Sequence, residues 1–190
     1  MADKLPGEDW RKTVLLPVLA MAAIVLLSNI LVQYPVGEWL TWGAFSYPVC
    51  YFVTDVCNRW SGPRMARRVA WAGFVVGVFL SLLMATPQIA LASGAAFITS
   101  QLLDIAVFNR LRRQSWWKAP LFGSAVASVV DTAIFFSIAF HGSGRNWVQL
   151  AAGDLGVKLA IALVLLAPFR PVVRWLAAAP LDPSIHETTW

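Results

Sequence analysis

A chain of 190 residues with 58% hydrophobic and only 13% charged content is too apolar for an ordinary soluble domain and reads as one integral membrane domain. Its net charge of +5 would suit nucleic acid if the bases formed a soluble face, but they sit in short connections between apolar runs and act as topology signals. Two histidines and the lack of HExxH, GxSxG and glycine-rich phosphate-loop patterns argue against an enzyme, and no cofactor or metal is expected.

At about 20 residues per helical span, the apolar runs predict an all-α integral membrane protein with six transmembrane helices near 14–33, 39–57, 68–86, 88–108, 118–141 and 148–169. They form a domain over 1–176, followed by a loose tail over 177–190. The first run follows Arg11 and Lys12 as a secretory signal would, yet it is long for one and lacks a small-residue cleavage site, so it is expected to stay as a helix. Arg59, Arg64, Arg67 and Arg68 lie between spans two and three, and Arg110, Arg112, Arg113 and Lys118 between four and five. The positive-inside rule makes both connections cytoplasmic and, with Lys4, Arg11, Lys12, Arg170 and Arg174, both termini as well. Trp39 and Trp147 at outer ends and Trp10, Trp60, Trp116, Trp117 and Trp175 at inner ones suit interfacial anchoring.

In the first span Asn29 and Gln33 are one helical turn apart and can serve a pocket or bridge helices. The second carries Tyr47, Pro48, Tyr51 and Asp55 along one stripe with Thr54 beside the acid, which can pair with Arg59 or flank a ligand. Cys50 and Cys57 share that helix about 10 Å apart, too far for a disulfide. Gly73, Gly77 and Ser81 form a small-residue face on the third span that can pack within the chain or against a second copy, giving a homodimer. The fourth presents Ser93, Phe97, Ser100, Gln101 and Asp104 on one seam.

The fifth span places Ser124, Ser128 and Asp131 at helical spacing, followed by Thr132 and Phe135. Asp131 lies near mid-membrane with no base near it on its own helix, so it would serve either proton coupling or substrate binding. In the sixth, Asp154 and Lys158 are four apart, the spacing of a structural ion pair. A charge at bilayer depth costs at least a few kcal/mol by insertion scales, so such residues face a bundle interior or a solute path.

Several ordered segments carry a resemblance. They begin with Ser28-Asn29, Leu31-Val32-Gln33 and Pro35, then the run from Thr41 to Pro48, Thr54-Asp55, Arg59, Gly62 and Ala66-Arg67-Arg68. They continue with Asp104, Val107 to Arg112, Trp116, Trp117, Ser128, Asp131-Thr132, Phe135-Phe136, Ile138 to Phe140, Asp154 and Lys158. This series closely resembles the queuosine precursor transporters, also called vitamin uptake transporters. The connection between spans three and four is shorter than that family leads one to expect.

The resemblance implies a bacterial inner-membrane carrier importing 7-deazaguanine precursors of queuosine, such as 7-cyano-7-deazaguanine and its aminomethyl relative, for tRNA modification. A deazaguanine presents a ring N–H and an amino group as adjacent donors, which one carboxylate among Asp131, Asp104 and Asp55 can accept. Its carbonyl needs a donor from Asn29, Gln33, Gln101 or Lys158, Ser128 adds a hydroxyl, and its ring can stack on Trp42, Phe45, Tyr47, Tyr51 or Phe97. Alternating access between spans one, two, four and five is expected, within a 3+3 inverted repeat that makes spans two and five equivalents. Two other readings stand beside it. One is the substrate-binding membrane subunit of an energy-coupling-factor vitamin transporter; the other is an assembly protein whose charges only pair helices. Expected partners are the deazapurine and membrane lipid, not nucleic acid.

Overall fold

The computed structural model describes residues 8–142 and 146–178, with side chains over 15–142 and 146–176. Lys4 and the tail beyond 178 lie outside the described residues, as do the side chains of Trp10, Arg11 and Lys12. In chain order the elements are α1 (Glu8–Leu31), a ribbon of β1 (Pro35–Val36) and β2 (Leu40–Thr41), α2 (Gly43–Ser46), α3 (Val49–Met84), α4 (Pro87–Leu111), α5 (Lys118–Ala139) and α6 (Trp147–Ala178).

The ribbon is antiparallel, pairing Pro35 with Thr41 and Val36 with Leu40. Gly37 at φ 68° makes its turn, a left-handed conformation that glycine adopts without a Cβ clash. Thr86 stops the chain between α3 and α4: it is extended, its Oγ1 accepts the Ile89 N–H, and Pro87 follows at the first helical position, where no N–H is needed.

The expected loop over 58–67 is replaced by a break at one residue. Gly62 has φ 83° and ψ 172°, and Pro63 follows it, so the chain leaves the helix where a left-handed residue meets one without an N–H. Side-chain contacts show that direction reverses there. Before the break, Thr54 reaches Met21 and Ser46 reaches Ser28, so this half runs antiparallel to α1. After it, Gly73 meets Met21, Gly77 meets Val25 and Ser81 accepts from Asn29, so this half runs parallel to α1. The basic residues expected in a loop therefore surround a hairpin tip.

Later helices continue the alternation. Gln101 meets Thr54 and Ile105 meets Asn58, whereas Asp131 meets Ser100 and Asp154 meets Thr132. Six helical segments thus pack up and down. Among the described residues four stretches are long and apolar enough to cross a membrane, Gly43–Met84 with its reversal, Pro87–Leu111, Lys118–Ala139 and Trp147–Leu176, beside the shorter apolar Leu15–Leu31. Helix α6 runs past its expected end through Pro168 and Pro171. There Phe169 is held edge-on by Phe52 and Phe108, tertiary packing that offsets the missing backbone bonds.

Burial is inverted relative to a soluble protein. Leu16, Phe79, Leu83, Leu91 and Val164 face outward, whereas Asp55, Asp104, Asp131, Asp154, Lys158 and Gln101 are buried. An apolar exterior around a polar interior suits lipid and not water.

The small-residue face of the third segment is occupied by α1, which removes the reason for assigning it to a second copy. A Cβ at Gly73 would lie 2.9 Å from Met21 Cβ, and one at Gly77 3.0 Å from Val25 Cγ1. Gly73→Val is accordingly expected to destabilise the protein by about 1–3 kcal/mol through overpacking. Thermal unfolding in detergent measures it, and an unchanged midpoint would show that α1 does not dock there.

Candidate functional site

Two buried polar clusters share the bundle interior, and Lys158 joins them. The first lies where α5 and α6 meet. Lys158 Nζ sits 2.7 Å from Asp131 Oδ2 and 2.6 Å from Asp154 Oδ2. It also donates to Thr132 Oγ1 at 3.1 Å, and that hydroxyl donates to Asp154 Oδ2 at 2.8 Å. Ser100 from α4 donates to the other Asp131 oxygen at 3.2 Å, and the Tyr47 ring lies 5.2 Å from the ammonium.

Two carboxylates thus meet one cation. When both acids are ionised the cluster carries one surplus negative charge, and its local dielectric makes a further donor or cation worth more than it would be in water.

A cavity of about 20 Å³ opens beside this cluster, lined by Ser28, Asn29, Val32, Gly43, Tyr47, Phe135 and the three charged residues. Close backbone approach forms its wall: a Cβ on Gly43 would lie 2.9 Å from the Ser28 carbonyl oxygen. Room on the scale of one water, against several hundred Å³ for a typical ligand pocket, means that the helices are closed over this site. At the ribbon end, a recess of about 400 Å³ lies between Pro35, Gly37, Glu38, Asn146, Gln149 and Leu150.

The second cluster lies about two turns from the hairpin tip at Gly62. Asp55 and Asp104 face the same turn of α5: Ser124 Oγ donates to Asp55 Oδ2 at 3.3 Å, and a Cβ at Gly123 would lie 2.6 Å from Asp104 Oδ1. Neither acid has a basic partner among the described residues. A smaller cavity of about 10 Å³ is lined by Asp55, Tyr51, Ser124, Ser128, Lys158 and the apolar side of α6.

At the adjacent helix ends two arginines lock α3 to α4. Arg59 Nη1 donates to the Arg112 carbonyl at 2.8 Å, and Arg112 Nη2 donates to the carbonyls of Asn58 and Arg59 at 3.1 and 3.3 Å. Each satisfies carbonyls that a helix end leaves without partners. Burial, and then the charge of Arg59, push the Arg112 guanidinium below its ordinary value.

The residues singled out by sequence divide into groups. Asp131, Lys158, Asn29 and Tyr47 line the larger cavity, whereas Asp55, Tyr51 and Ser128 line the smaller one. Asp104 lines neither, and Gln101 turns its Oε1 to Thr54 at 2.6 Å. Gln33 folds back onto the Asn29 carbonyl, and Phe97 packs edge-on to Tyr47.

Trp42 and Phe45 are 52% and 45% exposed and pack on each other. The short α2 turn leaves both rings partly exposed, outside the two interior cavities. Asp55 forms no pair with Arg59, whose guanidinium turns to α4 instead, and Asp131 is not partnerless, since α6 brings Lys158 to it. Ser28, Gly43 and the Arg112 latch were not singled out as functional by the sequence. Only their neighbours in space give them a role, and a lone serine or a loop arginine carries no signal of that.

Residues 41–86 and 77–173 match the family model described as a putative vitamin uptake transporter. The two matches overlap over residues 77–86, the end of α3 and the turn that follows it. A protein of Escherichia coli (strain K12) named "Queuosine precursor transporter" is 33% identical over 79% of this chain and 81% of its own length. "Probable queuosine precursor transporter" proteins of Haemophilus influenzae and Bacillus subtilis are 34% and 30% identical, over 70% and 68% of this chain and 68% and 70% of theirs. These relatives are named as transporters and not as enzymes. No solved structure matches the chain.

Proposed function

This chain belongs to the vitamin uptake transporter family, and from that premise we propose that it imports the queuosine precursors 7-cyano-7-deazaguanine and 7-aminomethyl-7-deazaguanine across a bacterial inner membrane. The observation that carries the reading is Lys158 held between Asp131 and Asp154 at the wall of the larger cavity. Asp131 accepts the ring N–H and amino group of the deazaguanine, Asn29 donates to its carbonyl, and Tyr47 and Phe135 flank its ring. An aminomethyl group adds a cation that balances the surplus carboxylate.

Import runs by alternating access. The closed cavity corresponds to neither open state, so substrate entry requires the α1–α3 side to part from α5 and α6. The alternating helix directions and the bases at the hairpin tip support a reading of six membrane crossings with both termini cytoplasmic. A 3+3 inverted repeat would pair the half of α3 carrying Asp55 with α5 carrying Asp131.

Cells lacking both queuosine precursor synthesis and their own carrier provide the test. Expression of this chain is expected to restore uptake of labelled precursor, and the purified chain is expected to exchange it in proteoliposomes without a partner ATPase. No uptake by well-inserted protein would sink the substrate assignment, and exchange that needs an added ATPase module would favour the energy-coupling-factor subunit.

A further inference from the structure

The smaller cluster has no role in the substrate contacts above, yet it places two acids against each other in the bundle interior. Asp55 and Asp104 are 2% and 0% exposed. Both Asp104 oxygens and Asp55 Oδ1 lack a hydrogen-bond partner. Gly123 lets α5 press so close that a Cβ there would lie 2.6 Å from Asp104 Oδ1.

Two ionised carboxylates this close, away from water and without a cation, repel strongly; one proton shared between them removes the conflict. Among the described residues, Arg59, Lys158 and Asp131 supply no alternative. Arg59 on the same helix binds the α4 end, Lys158 on α6 is committed to Asp131 and Asp154, and α5 offers Ser124 and then Asp131. The described side chains of α1, over 15–31, include no titratable group.

An independent observation points to a mobile proton. Tyr51 and Ser128, each 1% exposed, line the small cavity with Asp55, and the Ser128 hydroxyl has no hydrogen-bond partner. Lys158 lines this cavity and the substrate cavity alike. Hydroxyls and water-sized room therefore lie between the charged cluster and the acid pair, the parts a proton relay uses.

We propose that the Asp55–Asp104 pair is the proton-binding site of a proton-coupled carrier, loaded from the substrate side through the cavity of Lys158, Ser128 and Tyr51 and emptied toward the Arg59–Arg112 end. Loading takes the proton from hydronium on the substrate side, breaking its O–H bond, forming one on a carboxylate oxygen and leaving water. Unloading breaks that bond and forms one on a water at the other side, giving hydronium. The proposal rests on the carrier reading and supplies its energy source.

Two measurements on the purified full chain test it. Infrared spectra need no substrate: a protonated-carboxyl band at neutral pH, altered by both Asp104→Asn and Asp55→Asn, is expected. A missing band, or one that neither variant changes, overturns the proposal.

In proteoliposomes with acid outside, wild type is expected to accumulate labelled 7-cyano-7-deazaguanine about ten-fold per unit of pH gradient for one proton per substrate. Asparagine mimics the loaded acid, so Asp104→Asn is expected to lose this accumulation, and its counterflow is expected not to respond to the pH gradient. Counterflow without accumulation in wild type, or accumulation that persists in both variants, overturns the coupling. Absent wild-type counterflow sinks the carrier reading instead, and the infrared band then decides the proton site by itself.

Discussion

Asp131→Asn is expected to lower precursor uptake by about 100-fold while the protein still inserts and folds. The substitution keeps the shape and one carbonyl acceptor but removes the charge and turns one acceptor into a donor. A hydrogen bond to a charged group contributes about 1.5–3 kcal/mol, and 1.4 kcal/mol is a factor of ten. Losing a two-donor contact to one carboxylate therefore reaches two orders of magnitude. Folding is spared because Lys158 keeps Asp154 at 2.6 Å and Thr132 at 3.1 Å. Radiolabel uptake normalised to membrane-inserted protein measures the effect, and uptake within two-fold of wild type would remove Asp131 from the substrate site.

Lys158→Met is expected to have the largest effect on folding. It leaves Asp131 and Asp154 buried without their shared cation, and breaking a buried ion pair from one side costs about 3–5 kcal/mol. Adding Asp131→Asn and Asp154→Asn to Lys158→Met removes all three charges. That triple variant is expected to regain most of the stability, since a neutral buried cluster no longer opposes burial, yet to remain inactive in uptake. Unfolding in detergent reads the first effect and transport the second. A single Lys158→Met variant as stable as wild type would show that the ammonium is not the structural centre of the cluster.

Hydropathy revealed most of the bundle, because a helix that crosses lipid must keep about 20 apolar residues together whatever its neighbours are. The break between the two halves of α3 was harder to see. Ten residues from Asn58 to Arg67 read as a loop because they are polar and basic, but Gly62 and Pro63 alone make the reversal and the flanking arginines remain helical. Trp42 and Phe45 illustrate a different limit. Both adjoin the stripe that reaches Tyr47 and Tyr51, but the ribbon and α2 interrupt the helix before them and turn their rings outward.

The family was legible from an ordered series of short segments spanning the helices, and the comparisons place the chain in it. Its chemistry was legible only one helix at a time.

The sequence by itself determined which residues are buried charges and which of them share a helix face, because a period of 3.6 residues makes four-apart neighbours adjacent whatever the fold. Asp154 and Lys158 are of this kind. The tertiary structure decided what each charge meets on another helix: Lys158 meets Asp131, while Asp55 and Asp104 come to one turn of α5 at Gly123 and Ser124. Those meetings depend on the rotation and depth of whole helices. Contacts such as Gly73 on Met21, Gly43 on Ser28 and Gly123 on Asp104 set that rotation and depth, and no local pattern along one helix encodes which surface its glycine will accept.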